Sequence, residues 1–234
     1  AFNQLSLEQS PDRGNTQYGY DAAGNLKTKQ DAKGQTTSYQ YDALNRVSQM
    51  SYPGGVISYS YDQGGNGLGR LTEITDPSGK TNYQYDAHGR ITVKTQGSLV
   101  LQYSYDPSSG NLASITYPNA RVVSYSYTQG RISAIQVDGQ PLLNQISYQP
   151  FGPVKGWVFG NGRPYTRSFD SDGRLKTYDL NSFVRTLDYD AAGRIQAYLN
   201  PTPEHSFAYD EVNRLTSFIS NTNTQAYSYD DNGN

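Results

Sequence analysis

An aromatic residue recurs along this chain at intervals of 20 to 24 residues: Tyr20, Tyr41, Tyr61, Tyr85, Tyr105, Tyr127, Tyr148, Phe169, Tyr189, Tyr209 and Tyr229. Aspartate follows it in nine of the eleven places, at Asp21, Asp42, Asp62, Asp86, Asp106, Asp170, Asp190, Asp210 and Asp230; Thr128 and Gln149 stand in the other two. A fixed period of this length means that one small structural unit is copied, each copy burying apolar surface against its neighbours.

Each copy follows one grammar. Tyr189-Asp190-Ala191-Ala192-Gly193-Arg194-Ile195 and Tyr85-Asp86-Ala87-His88-Gly89-Arg90-Ile91 are representative. The aspartate opens a turn, since its carboxylate accepts hydrogen bonds from backbone amides one or two residues ahead. Gly24, Gly89, Gly173 and Gly193 supply a left-handed residue, and Asn45 and Asn213 replace them as the next most tolerant type. Arg46, Arg70, Arg90, Arg131, Arg174, Arg194 and Arg214 come next, each followed by a branched apolar residue that starts a strand.

A second turn falls about ten residues later, as at Asp76-Pro77-Ser78-Gly79, Pro53-Gly54-Gly55 and Val137-Asp138-Gly139. Each unit is therefore a hairpin of two strands. The one long interval, from Tyr61 to Tyr85, is accounted for by Gly64 to Gly69, which lengthens the turn, while the count from Arg70 to Tyr85 stays at fifteen as it does from Arg46, Arg90, Arg174, Arg194 and Arg214 to the next recurring aromatic residue. Insertions go into turns because strand register tolerates none. Pairs such as Tyr39/Tyr41 and Tyr59/Tyr61 place two aromatic residues on one face. No helical periodicity appears.

Composition fits a sheet without a thick core. Apolar residues make up only 35% of the chain, and tyrosine dominates them, with 22 Tyr against 7 Phe, 1 Trp and 1 Met. Tyrosine pairs a large apolar ring with a hydroxyl that tolerates water, so it suits half-buried surfaces. A net charge of −2 with no basic cluster argues against nucleic acid as a partner. No segment reaches the roughly 18 apolar residues of a membrane span. Cysteine is absent, which removes disulfide and thiolate chemistry. The first fifteen residues lack the layout of a signal peptide, so any export signal is expected elsewhere in the polypeptide.

The Tyr-Asp-x-x-Gly-Arg-Ile/Leu grammar at this spacing resembles the YD-repeat, or RHS-repeat, family over nearly the whole chain. In that family the repeats form a long β-strip wound into a hollow shell, which encloses a C-terminal toxin in bacterial RHS and toxin-complex proteins and forms part of a cell-surface receptor in teneurins. The resemblance implies a secreted or cell-surface protein, bacterial in origin, whose partners are further repeats and a toxin domain of the same polypeptide. The family's core motif with self-cleaving aspartates is not among these residues.

The residues read best as scaffold. The seventeen aspartates mostly repeat one turn position, as a structural cap predicts, and neither Asp170 with Asp172 nor Asp230 with Asp231 supplies the oxygens that calcium needs. The motif arginines are expected to pair with aspartates of neighbouring units. His88 occupies a variable turn position and His205 follows the Pro201-Thr202-Pro203-Glu204 turn, facing solvent; neither has a nucleophile partner. Gly64 to Gly69 lacks the Lys-Ser/Thr pair of a phosphate loop. Trp157 is the one singular residue, suited to filling a bend where the repeat is most degenerate or to stacking on a ligand such as a sugar.

The expected architecture is all-β: residues 1–234 as a single array of about eleven units, truncated at both ends, giving 20 to 22 strands and essentially no helix. So wide a twisted sheet is expected to curl. The motif tyrosines should alternate with Val47, Leu71, Ile91 and Leu112 in one stripe. No catalytic residue, cofactor or metal is assigned. The first functional reading is a wall segment of a toxin-enclosing shell; the second is a binding surface for carbohydrate or a cell-surface protein through exposed tyrosine rows.

Overall fold

The computed structural model describes residues 4–180, 182–200, 202–230 and 233. The expectations resting on Pro201 and Asp231 lie outside the described residues. The chain divides into two compact units, 1–121 and 122–234. The first holds β1 (Leu7–Ser10), β2 (Gly14–Tyr20), β3 (Leu26–Gln30), β4 (Thr36–Tyr41), β5 (Val47–Tyr52), β6 (Gly55–Tyr61), β7 (Leu71–Asp76), β8 (Gly79–Tyr85), β9 (Ile91–Gln96), β10 (Leu99–Tyr105) and β11 (Leu112–Thr116). The second holds β12 (Val122–Thr128), β13 (Arg131–Val137), β14 (Gln140–Tyr148), β15 (Val154–Phe159), β16 (Pro164–Phe169), β17 (Leu175–Leu180), β18 (Phe183–Tyr189), β19 (Ile195–Asn200), β20 (Thr202–Tyr209), β21 (Leu215–Ser220) and β22 (Thr224–Ala226).

Within each unit every strand pairs antiparallel with the strands before and after it in sequence. The 22 strands match the number expected from eleven two-strand copies, and no helix occurs among the described residues.

There is almost no buried core. Among the described residues only Leu187 and Ala197 are buried apolar side chains, at 8% and 7% exposure, and no large side chain is fully enclosed. Both sheet faces are instead half-covered along most strands. Tyrosine makes such a single layer tenable, because its ring loses apolar area while its hydroxyl keeps a partner.

One regular device was not anticipated. A β-bulge sits immediately before every motif aromatic from Tyr20 to Tyr209. Ser60 faces Glu73 and Tyr61 faces Leu71, so Thr72 is the extra residue. It is the one buried polar side chain among the described residues, and its hydroxyl donates to the Ser60 carbonyl at 3.1 Å. The bulge shifts the phase of the pleat: Leu71 and Glu73, two apart, oppose residues on opposite faces. The expected stripe results, with Tyr41 opposite Val47, Tyr85 opposite Ile91 and Tyr105 opposite Leu112. A bulge also strengthens the local twist.

Two local expectations are corrected. Trp157 does not fill a bend; it lies inside β15, directly opposite Tyr165 of β16. His205 does not stand in solvent after a turn; it lies within β20, stacked on Phe218 with ring centroids 5.5 Å apart. The cross-strand partners that hold both rings are many residues away, so local composition carried no sign of them.

Candidate functional site

The repeated motif assembles into an interlock. In the turn Asp42 to Arg46, the Asp42 amide donates to the Arg46 carbonyl and the Asn45 amide to the Asp42 carbonyl. Asp42 Oδ1 accepts the Leu44 and Arg46 amides, both at 2.9 Å, and Oδ2 accepts Arg46 Nε at 2.7 Å. The carboxylate therefore bonds amides two and four residues ahead, not one or two. Asp86, Asp170, Asp190 and Asp210 repeat this arrangement with Arg90, Arg174, Arg194 and Arg214. The left-handed position is occupied as expected, with φ of 90° at Gly24, 79° at Gly89, Gly173 and Gly193, 59° at Asn45 and 67° at Asn213.

These bonds favour the ionised acid. The Arg46 amide, then its side chain, holds the Asp42 carboxyl below the usual range against the opposing effect of desolvation. Asp190 and Asp210 are lowered likewise, first by the Arg194 and Arg214 amides.

The guanidinium also reaches the next copy. It lies over the following motif ring, 4.3 Å from the Tyr61 centroid for Arg46, 4.3 Å from Tyr105 for Arg90, 4.7 Å from Tyr189 for Arg174, 4.9 Å from Tyr209 for Arg194 and 4.6 Å from Tyr229 for Arg214. That tyrosine's hydroxyl then donates back to the carbonyl just after the arginine. Tyr61 bonds Val47 at 2.8 Å, Tyr105 bonds Ile91 at 2.9 Å, Tyr189 bonds Leu175 at 2.7 Å and Tyr209 bonds Ile195 at 2.9 Å. Tyr20, Tyr41, Tyr85, Tyr148 and Tyr229 make the same bond to Leu5, Leu26, Leu71, Ile132 and Leu215. Partial burial raises the phenols of Tyr41, Tyr61, Tyr85, Tyr105 and Tyr189.

The expected pairing of arginine with a neighbouring unit's aspartate is thus the exception. It occurs at Arg46, whose two terminal nitrogens meet both Asp62 oxygens at 3.1 and 2.5 Å. The long Gly64–Gly69 turn explains it: Asp62 takes φ 67°, caps Gly69 instead, and leaves Arg70 bonded to the Asn66 and Leu68 carbonyls. Asp106 caps Ser108 and Ser109, since Asn111 replaces the arginine. Phe169 has no hydroxyl to donate, yet Asp170 and Arg174 still pair. Tyr127 lies opposite Ile132 in register, and the Asp230 carbonyl accepts Arg214 Nη1 at 3.4 Å.

A second assembly escaped the sequence reading. On one face of β15 to β21, Trp157, Tyr165, Arg167, Tyr178, Arg185, Tyr198, His205, Phe207 and Phe218 form a continuous run of cross-strand and diagonal neighbours. Trp157 and Tyr165 centroids are 4.3 Å apart, and the Arg167 guanidinium lies 5.1 Å from the tryptophan ring. Arg185 pairs with Glu204 at 2.8 Å. Trp157 Nε1, Arg167 Nε, Arg185 Nε and His205 Nδ1 are enclosed without hydrogen-bond partners. The only sequence signal was Arg167 two residues before Phe169, where other units carry Tyr or an apolar residue. Trp157 is engaged by Tyr165, Phe159 and Arg167.

Among the described residues no group of three or more His, Cys, Asp or Glu is placed to hold a metal, and no helix is long and apolar enough to cross a membrane. What the geometry supplies is mechanical: within each unit most copies are tied to the next by a ring, a guanidinium and a carbonyl.

Structures of TcdB2-TccC3-TEV and of the Photorhabdus luminescens Tc holotoxin pore share the fold, with TM-scores of 0.83 and 0.84 at 16% identity. The matches cover 96% and 98% of this chain, which spans 15% of the length of either structure. A search of curated protein sequences returns no match. The RHS Repeat family matches residues 20–57 and the Teneurin YD-shell family residues 66–234. With most of its length matched in this way, the chain belongs to the teneurin YD-shell family of repeats.

Proposed function

We propose that this chain is a stretch of wall in a shell that surrounds a toxin domain of the same, longer polypeptide and carries it out of a bacterial cell. The observation that carries the reading is the absence of a core. Two buried apolar side chains among the described residues suit a one-layer partition rather than a globular binding module or an enzyme. The interlock supports it, because recurring neighbour-to-neighbour ties let a wall grow by adding copies without redesigning any interior. The role asks for no chemistry from these residues; the motif side chains Tyr20, Asp21 and their equivalents act as ties. The place of action on this reading is outside the cell or at its surface.

The test uses the longer polypeptide with the domain that follows this segment. Limited proteolysis should spare that domain while the repeats are intact and cut it once they are opened by deletion of Tyr189 to Tyr198, which removes a single strand and breaks the pairing on either side. Equal cleavage in both proteins would end the shell reading.

A further inference from the structure

Between the ends of β12, β13 and β14 lies a recess of about 500 Å³, lined by Thr128, Arg131, Ile132, Ile146, Tyr148 and Phe151 among others. We propose that it binds a peptide segment carrying a carboxylate beside an apolar side chain, with Arg131 taking the carboxylate and Phe151 the apolar group.

The charge argument starts from the repeat. Arg46, Arg90, Arg174, Arg194 and Arg214 each bond the aspartate of their own turn. At Arg131 that position is Thr128, and in the following copy it is Gln149, so both nearby carboxylates are missing. Among the described residues no acid lies within ion-pair distance of Arg131. Its Nη1 meets only the Gln149 and Gly152 carbonyls, each at 3.4 Å, while the guanidinium covers the Tyr148 ring at 5.0 Å. The recess lining contains this one cation and no acid. A planar guanidinium left in that state is matched by a carboxylate better than by any neutral acceptor.

The second argument is Phe151. It is wholly exposed, at 102%, and takes φ 53°, although the adjacent Gly152 could have carried a left-handed residue without strain. A large aromatic side chain in a disfavoured backbone conformation, with its ring in water, contributes nothing to the fold that a smaller residue would not. Strain of this kind gathers where a partner is clamped. Ile132 and Ile146 extend the apolar surface from the ring into the recess. Its volume is at the lower end of small-ligand pockets, enough for a few residues of peptide.

The experiment titrates the 234-residue chain with a blocked phenylalanyl-aspartyl-phenylalanine peptide and with its asparagine counterpart, followed by amide chemical shifts and calorimetry. The aspartyl peptide should bind with shifts at Arg131, Tyr148 and Phe151, and the asparaginyl peptide about two- to fivefold more weakly, as expected for one partly exposed ion pair. Arg131→Gln should erase the difference between the two peptides, Phe151→Ser should weaken both, and Arg174→Gln should change neither. Phe151→Ser alters only an exposed ring, so it keeps the test open if Arg131→Gln fails to fold. Equal affinity for both peptides, no binding of either, or a folded Arg131→Gln variant that still discriminates would overturn the proposal.

Discussion

From Asp170 to Arg214, each motif turn is closed twice: once by backbone hydrogen bonds and once by a carboxylate that caps two amides and holds an arginine. Between Thr128 and Pro153 the second closure is gone, because Thr128, Gln149 and Pro153 occupy the aspartate and arginine positions. At the Gln149 turn the first closure survives, whereas Thr128 pairs directly with Arg131 across a two-residue turn. The Gln149 amide still donates to the Pro153 carbonyl at 3.0 Å and the Gly152 amide to the Gln149 carbonyl at 3.0 Å, as in the regular turns. The bulges before Tyr127 and Tyr148 survive too, as does the bond from the Tyr148 hydroxyl to Ile132. Backbone pairing, bulge and tyrosine bond therefore define the repeat, and the Asp-Arg pair is a module that can be removed. Where it is removed, an unneutralised arginine and an exposed phenylalanine appear.

The largest expected effect tests the part common to both regions. Deleting the twenty residues Tyr189 to Ala208 should leave a folded chain, since the flanking strands meet in the same direction. Deleting only Tyr189 to Tyr198 removes a single strand, reverses the chain and should abolish most of the cooperative unfolding transition seen by circular dichroism. Similar loss from both deletions would show that the copies are not modular.

Turn conformation comes next. Gly193→Ala should cost about 1–2 kcal/mol in denaturant unfolding, because φ 79° disfavours any Cβ and the added methyl would meet only Arg174 Nη1, at 3.5 Å. Phe151→Gly should run the other way by under about 1 kcal/mol, relief of strain being offset by the flexibility of glycine. If both changes destabilise equally, the degenerate turn is not strained.

A smaller effect sharpens the claim that the tyrosine bond is shared. Tyr209→Phe and Tyr148→Phe each remove one hydroxyl bond to a backbone carbonyl, of 2.9 and 2.8 Å. Each should cost about 1 kcal/mol, and by the same amount. A negligible cost at Tyr148 would confine the bond's importance to the regular units.

The smallest is a pH dependence confined to the capped turns. The Asp190 and Asp210 carboxyls are held below their ordinary range in the folded chain. Near and below that range the unfolded chain binds more protons, so the stabilisation is full above about pH 5 and is lost as pH falls through the lowered values. Protection of the Arg194 and Arg214 amides, taken relative to the intrinsic exchange rate at each pH, should then fall on acidification while changing less at Gly152 and Val154. Asp210→Asn should flatten the response at Arg214. Uniform acid sensitivity along the chain would contradict the difference between the regions.

The recurrence of Tyr-Asp and Gly-Arg determined the all-β class, the strand number and the place of every motif turn, because turns depend on residues close in sequence. The exchange of glycine for asparagine at Asn45 and Asn213 announced a left-handed residue before any coordinate did. What the sequence could not carry is which groups meet across strands. Arg90, Arg194 and Arg214 read as surface charges seeking a neighbouring acid; only pairing in register shows them folded onto their own turn and laid over the next copy's tyrosine. The bulge at Thr72 and its equivalents is likewise invisible locally, since it exists only as a mismatch of two residues against one on the partner strand. Trp157 and His205 owe their surroundings to residues on β16 and β21, and Arg131 owes its lone charge to acids missing on both sides of a recess. Local chemistry sets the hairpin; contacts between strands decide what its side chains do.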